Sequence, residues 1–137
     1  VATLGNYIPL KQVGNLIYIS GQLPLFKNQL ITGKVPSENS INTAKRAAKI
    51  CMLNTLSILD QIYPMYYLEN FSCIHIAGYI NAESSFEDHP QIINGASDVV
   101  CEILSNNGKH SRIAVGCASL PKNASVEISS IFSIIEK

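Results

Sequence analysis

HSRIAVGCASLPKNASVEI, residues 110–128, holds two apolar runs separated by Leu120-Pro121-Lys122-Asn123. Each run carries one charge. Arg112 heads the first, and Glu127 stands near the start of the second, which continues to Ile135. Enrichment in β-branched residues and a breaker between the runs predict two strands, Arg112 to Ala118 and Ser125 to Ile135. The chain has only two arginines, so the position of one at the head of an apolar strand calls for a reason.

An arginine at a strand end is ordinarily solvated or paired to an acid, and a lone Glu in a strand ordinarily faces water. The functional alternatives are specific. A guanidinium presents a planar fork that matches a carboxylate in two-pronged fashion, and it stays charged when partly buried. A carboxylate can orient or deprotonate a water. If the two strands form a simple hairpin about Pro121-Lys122, Arg112 opposes a residue near Ile131, and Glu127 opposes one near Gly116 or Cys117. The two side chains then lie on the order of 13 Å apart along the strands. One small substrate does not bridge that gap, so either the hairpin is irregular or a second subunit completes the site. Both readings place the site in a cleft between subunits.

Working outward, Gly14-Asn15 separates two further strand-like runs, Tyr7 to Val13 and Leu16 to Gln22, and a loop broken by Pro24, Asn28, Gly33 and Pro36 follows. Ser37 or Ser40 can cap a helix whose apolar stripe is Ala44, Ala48, Cys51, Met52, Leu56 and Leu59, ending near Ile62 before Pro64. Lys45, Arg46 and Lys49 fall mostly off that stripe, so Arg46 is a solvated surface residue. Phe71 to Ile80 predicts a strand, and Asn81 to His89 a polar loop. Asp88 and Pro90 open a second helix, with Ile92, Ile93, Ala96, Val99, Val100, Ile103 and Leu104 inward, closed by Asn106-Asn107-Gly108. The order β-β-α-β-α-β-β predicts one α+β domain over residues 1–137, with two helices on one face of a mixed sheet. Ile17, Ile19, Ile74, Ile76, Ile113, Val115, Ile128 and Ile131 are too many apolar strand residues for an open face in water, so a homo-oligomer is expected.

Composition narrows the partners. Ten basic residues balance ten acidic ones, and there is no tryptophan. That argues against duplex nucleic acid or an anionic membrane surface. No apolar run reaches the roughly 18 residues of a membrane span. No signal-peptide pattern opens the chain, and because it begins at Val1 a short preceding piece is expected. Cys51, Cys73, Cys101 and Cys117 lie far apart inside apolar patterns, as buried reduced thiols of a cytoplasmic protein do. They and His75, His89 and His110 lack the paired short spacings of a zinc site, so no metal is expected.

The stretches GNLIYISGQLP (14–24), NGAS from Asn94, and HSRIAVGCASLPKNASVEI together resemble the RidA/YjgF family, also called the endoribonuclease L-PSP family. The similarity runs in order over nearly the whole chain. The opening NYIP and the segment ESSFEDHPQIINGASD resemble a divergent branch of it. The resemblance implies a chorismate-mutase-like fold, a homotrimer whose sheets form a central barrel, and clefts between neighbouring subunits. It also implies hydrolysis of reactive 2-imino acids or their enamine tautomers to 2-keto acids and ammonia, with no metal or organic cofactor. Residue by residue, Arg112 matches the arginine that grips the substrate carboxylate, and Glu127 the acid that positions the attacking water. Tyr7 and Gly21 match residues bordering the ligand, and Asn94 matches a cleft asparagine. Ala114 stands where the family often has a cysteine, which removes a thiol but leaves the main-chain groups expected to hold the imine nitrogen and water.

Other readings compete. A module that binds a small carboxylate such as a keto acid, without turnover, would use the same arginine. RNA cleavage, also credited to the family, finds little support, because no basic groove is interleaved with exposed aromatics. Tyr63, Tyr66 and Tyr67 around Pro64 read as packing at a helix end. Cys117 lies near His110 in sequence, but strand alternation gives them no reason to meet as a nucleophile and base.

Overall fold

The computed structural model describes residues 3–135. Ser40 caps α1, Ile41–Ile62, by accepting from the Thr43 backbone N–H. Ala44, Ala47, Ala48, Cys51, Met52, Thr55, Leu56, Ile58 and Leu59 form its buried stripe, while Lys45, Arg46 and Lys49 are exposed. The second helix, α2, His89–Leu104, buries Ile92, Ile93, Gly95, Ala96, Val99, Val100 and Leu104. A 3₁₀ turn, Ser105–Gly108, closes it at the expected Asn-Asn-Gly.

Among the described residues seven strands accompany the helices: β1 (Leu10–Val13), β2 (Leu16–Gln22), β3 (Leu25–Phe26), β4 (Gln29–Leu30), β5 (Phe71–Asn81), β6 (Ser111–Cys117) and β7 (Val126–Ile134). Five form one sheet in the order β1-β2-β7-β5-β6, and β3-β4 make a small hairpin inside the predicted loop. The first strand begins at Leu10, not at Tyr7, which lies in the segment leading to it. The fold class is α+β, as expected: α1 and α2 pack on each other and on one face of a mixed sheet.

The expected β6–β7 hairpin does not form. β7 pairs antiparallel with β2 on one side and β5 on the other, while β6 pairs parallel with β5 at the sheet edge. The cause is topological. β5 and β6 are joined by the crossover helix α2, as parallel neighbours must be. Residues 118–125 then carry the chain past the end of β5, and β7 enters between β5 and β2.

That connection is pinned by a partly buried polar lock. Lys34 Nζ donates to Asn81 Oδ1 (3.0 Å) and to the Ala118 carbonyl (2.7 Å). Asn81 Nδ2 donates to Asn123 Oδ1 (3.1 Å), and Ser125 Oγ, itself accepting from Asn39, donates to the Gly33 carbonyl (2.7 Å). Asn81 and Ser125 are buried, so these bonds satisfy groups that would otherwise be costly. They hold the start of β7, and Glu127 with it.

Strand alternation sorts the sheet faces. Ile17, Ile19, Ile76, Ile80, Val126, Ile128 and Phe132 are fully or almost fully buried beneath the helices. Four of the apolar strand residues expected on an uncovered face, Ile17, Ile19, Ile76 and Ile128, are therefore covered by the helices. What remains on the far side is smaller: Tyr18 is 47% and Ile113 50% exposed, with Val115 and Ile131 half-buried beside them. Ile74 is an extra residue at a β5 bulge. Tyr63 and Tyr66 pack on Phe71 as a helix-end cluster, whereas Tyr67 is exposed.

Two glycines set how closely the layers approach. A Cβ at Gly78 would run into the Ile93 side chain, and one at Gly95 would overlap the Lys45 carbonyl across the helix pair. Gly95 thus lets α2 seat against α1 and fixes where its neighbours Asn94 and Ser97 stand. Gly95→Val is expected to cost about 3 kcal/mol, since backbone rather than a mobile side chain is in the way. Denaturant unfolding checks this, and an unchanged midpoint would contradict it.

Candidate functional site

The six residues singled out by sequence fall into two groups at different places on the chain. The first gathers around Arg112. Its neighbour across the ladder is Ile76, buried beneath the helices, so Arg112 lies on the helix side of edge strand β6. Its Nη1 donates to Asn94 Oδ1 (2.8 Å) and to Ser97 Oγ (3.1 Å), both on α2. Ala114, two residues along the same face, is half-buried against the core. Asn94, Arg112 and Ala114 therefore share one corner, between the edge of β6 and the flank of α2. The guanidinium is part-buried, and among the described residues no acid pairs with it, since the one ion pair there is Lys45–Asp98. A part-buried cation held only by neutral acceptors is available to an anion.

The second group gathers around Glu127. Its ladder neighbour is Tyr79, on the face away from Val126 and Ile128, which are fully buried under the helices. In β2 the register slips by one residue between Ile19 and Gln22, and Gly21 sits in that bulge. A Cβ there would overlap the Glu127 carboxylate, so only glycine leaves the acid its place. Glu127, Gly21 and Tyr7 line a cleft of about 880 Å³ with Gln22, Asn54 and Lys122. Its apolar wall is Leu4, Leu23, Leu25, Leu30 and Ile58. Asn54 Nδ2 donates to the carbonyls of Leu23 (3.1 Å) and Leu25 (3.0 Å), which holds that wall in shape.

Burial raises the Glu127 carboxyl above its ordinary range. Desolvation penalises the charged form, so the group is a better proton acceptor than an exposed Glu. The thiols are different. Burial, with the Glu127 charge second, pushes Cys51 well up, and burial pushes Cys73 to about 12. Neither is a nucleophile near neutral pH. His110 does not meet Cys117: its Nε2 lies 2.8 Å from Ser97 Oγ.

The two groups do not meet within one chain. Arg112 is in register with Ile76 and Glu127 with Tyr79, two strand spacings and three residues apart. That places their Cα atoms on the order of 14 Å apart, with side chains on opposite faces of the sheet. The hairpin partners expected for them, near Ile131 and near Gly116 or Cys117, are replaced by partners on β5. The wide separation itself remains. Sequence reading missed Ser97 and His110. The available signal was helical spacing: Ser97 is three residues after Asn94, on the same flank of α2.

A second concave surface, about 430 Å³, lies between the helices and is lined by Lys45, Arg46 and Lys49 with Asp98 and Glu102. Its charges are mixed. Among the described residues there is no cluster of three or more His, Cys, Asp or Glu able to hold a metal ion, and no helix long and apolar enough to cross a membrane.

Comparison with known proteins gives the chain its family. A 2-iminobutanoate/2-iminopropanoate deaminase from Dermatophagoides farinae is 29% identical, over 96% of this chain and 88% of its own. A structurally characterised protein of unknown function from Agrobacterium tumefaciens is 38% identical and superposes with a TM-score of 0.90, covering 94% of this chain and 82% of its own. RidA from the Antarctic bacterium Psychrobacter is 27% identical with a TM-score of 0.67, covering 97% and 92%. The chain shares the RidA core and follows the Agrobacterium backbone more closely. The family model described as YjgF/chorismate mutase-like, putative endoribonuclease, matches residues 1–134, so the chain belongs to that family.

Proposed function

We propose that this protein hydrolyses 2-imino acids and their enamine tautomers to 2-keto acids and ammonia, in clefts completed between copies of the chain. The observation that carries the reading is the division of the site. Arg112 is fixed on one flank, with no acidic partner among the described residues, and Glu127 is half-buried beside a preformed cleft on the other. Two such half-sites complement each other when one copy's β6 edge meets the next copy's Glu127 cleft. A trimer with its sheets turned inward makes three such meetings and covers Tyr18 and Ile113. The deaminase named among the relatives supports the chemistry.

The steps follow from the parts. Arg112 grips the substrate carboxylate through two N–H groups and so fixes the imine carbon. Water attacks that carbon as Glu127 takes its proton, and the C=N electron pair moves to nitrogen. Glu127 returns that proton to nitrogen and then takes the hydroxyl proton of the carbinolamine as the C–N bond breaks. Ketone and ammonia leave, and the last proton passes from Glu127 to the ammonia, which departs as ammonium. A protonated imine is electrophilic already, so the protein supplies position and a base. The apolar wall of Leu23, Leu25, Leu30 and Ile58 offers room for the substrate's side chain.

A second reading, a keto-acid-binding module without turnover, is favoured by one observation: a methyl group, Ala114, stands beside the clamp where the family often has a thiol. RNA cleavage is not favoured. The basic residues gathered around the inter-helix surface share it with Asp98 and Glu102.

A coupled assay separates these readings. An amino-acid oxidase generates the imine with semicarbazide present, and wild type is expected to suppress the semicarbazone. Arg112→Ala is expected to lose on the order of 100-fold or more of that activity while keeping its assembly. Activity retained in this variant would sink the clamp, and binding without suppression by wild type would support the module.

Glu127 gives a second test, through stability. Its raised pKa means the folded state holds the proton more tightly than the unfolded chain. Ionisation therefore costs stability above the folded pKa, and the cost fades as pH falls through it. Glu127→Gln is expected to raise the melting temperature at neutral pH, to lose that gain below about pH 4, and to abolish turnover. A variant less stable at pH 7 than wild type would contradict the assignment.

A further inference from the structure

We propose that Ser97 and His110 form a positioning relay for Arg112, which turns one edge of its guanidinium toward the substrate carboxylate. The inference rests on the clamp reading and extends it to two residues outside the clamp itself.

With His110 neutral, proton bookkeeping gives the relay a single direction. His110 Nδ1 lies 2.6 Å from the Gly108 carbonyl oxygen. A carbonyl only accepts, so Nδ1 carries the proton. In the neutral imidazole Nε2 then has the lone pair. Nε2 is 2.8 Å from Ser97 Oγ, so the hydroxyl donates to it. With its only proton spent, Ser97 Oγ meets Arg112 Nη1 as an acceptor, at 3.1 Å. Donation thus runs from Arg112 to Ser97 to His110 and on to the backbone. Asn94 Oδ1, at 2.8 Å, accepts from the same Nη1.

The consequence concerns the other edge of the fork. Nη1 has two protons, and α2 takes both. Among the described residues neither Nε nor Nη2 of Arg112 makes a side-chain hydrogen bond. Those two N–H groups lie on one side of the guanidinium and point the same way, as a two-pronged carboxylate contact requires. Anchoring Nη1 removes rotations that an unheld arginine would have to give up on binding. The anchor is also well seated. His110 is two residues before Arg112 on the entry to β6, and Ser97 is one helical turn from Asn94, so strand and helix close the loop between them.

A serine hydrogen-bonded to a histidine also describes a nucleophile with its base. The Arg112 contact argues against that here. A hydroxyl oxygen accepting from a guanidinium has its lone pair engaged and is a poorer nucleophile.

The test measures binding of 2-oxobutanoate, a small 2-keto acid, by calorimetry on the assembled full chain, beside deaminase kinetics. Ser97→Ala and His110→Phe are each expected to weaken binding about tenfold, with KM rising more than kcat falls. Ser97→Thr, which keeps the hydroxyl, is expected to restore most of the affinity. The double variant is expected to be no weaker than Ser97→Ala, because both break one path. Thermal melts identify any variant that fails to fold, and Ser97→Thr then carries the comparison with wild type. Unchanged affinity in folded Ser97→Ala, or additive losses in the double variant, would overturn the relay. So would loss of turnover with binding intact, together with labelling of Ser97 by a fluorophosphonate. Arg112→Ala is run alongside. If it binds the keto acid as wild type does, the clamp reading has failed; if it alone loses binding, only the relay has failed.

Discussion

β7 pairs with two strands at once, and this constraint organises the rest of the chain. Its inner residues, Val126, Ile128 and Phe132, are fully buried beneath the helices. Its neighbours β2 and β5 hold it on both edges. With β7 central, β6 is left at the edge, and α2 carries the chain from β5 over to it. That crossover brings Asn94 and Ser97 to Arg112. The same strand turns Glu127 to the other face, beside the bulge that Gly21 permits. The separation of the two charged residues is therefore a property of sheet order, not of loop detail.

The two charges are prepared in opposite ways. Arg112 stands among neutral acceptors that orient it without neutralising it, and no acid pairs with it among the described residues. Glu127 is desolvated, which raises its affinity for a proton. Placed within one chain against each other, they would form an ion pair and neither would be free to act. Separation on the monomer keeps both available until a carboxylate and a water come between them. An interface between copies is the economical place for such a meeting. Under the proposed reading it also couples assembly to activity, since each copy would supply only half of a site.

Much of this was legible in the sequence because it rests on local rules. The α1 stripe, the Ser40 cap and the Asn-Asn-Gly stop follow from spacing and capping, and they stand where the spacing placed them. The strand segments were legible for the same reason. Pairing was not, because alternation tells which residues share a face but not which strand lies beside which. The final hairpin was the natural local choice, and the β5–α2–β6 crossover overrode it. Counting apolar residues without knowing the faces likewise placed Ile17, Ile19, Ile76 and Ile128 on the wrong side. Arg112 and Glu127 stood out as lone charges in apolar strands and Gly21 through family resemblance, and the structure supplies a physical setting for each. Ser97 and His110 were hidden because a helix and a strand entry had to be brought together before the relay between them existed.

The most direct measurement is complementation between two inactive variants. Arg112→Ala and Glu127→Gln are purified, mixed in equal amounts, unfolded and reassembled together, and then assayed for deamination. If each cleft takes Arg112 from one copy and Glu127 from the next, about a quarter of the clefts in random trimers regain both residues. The account predicts recovery of roughly that share of wild-type activity, from two preparations that are inactive alone. A mixture as inactive as its parts, although mixed trimers have formed, would contradict it.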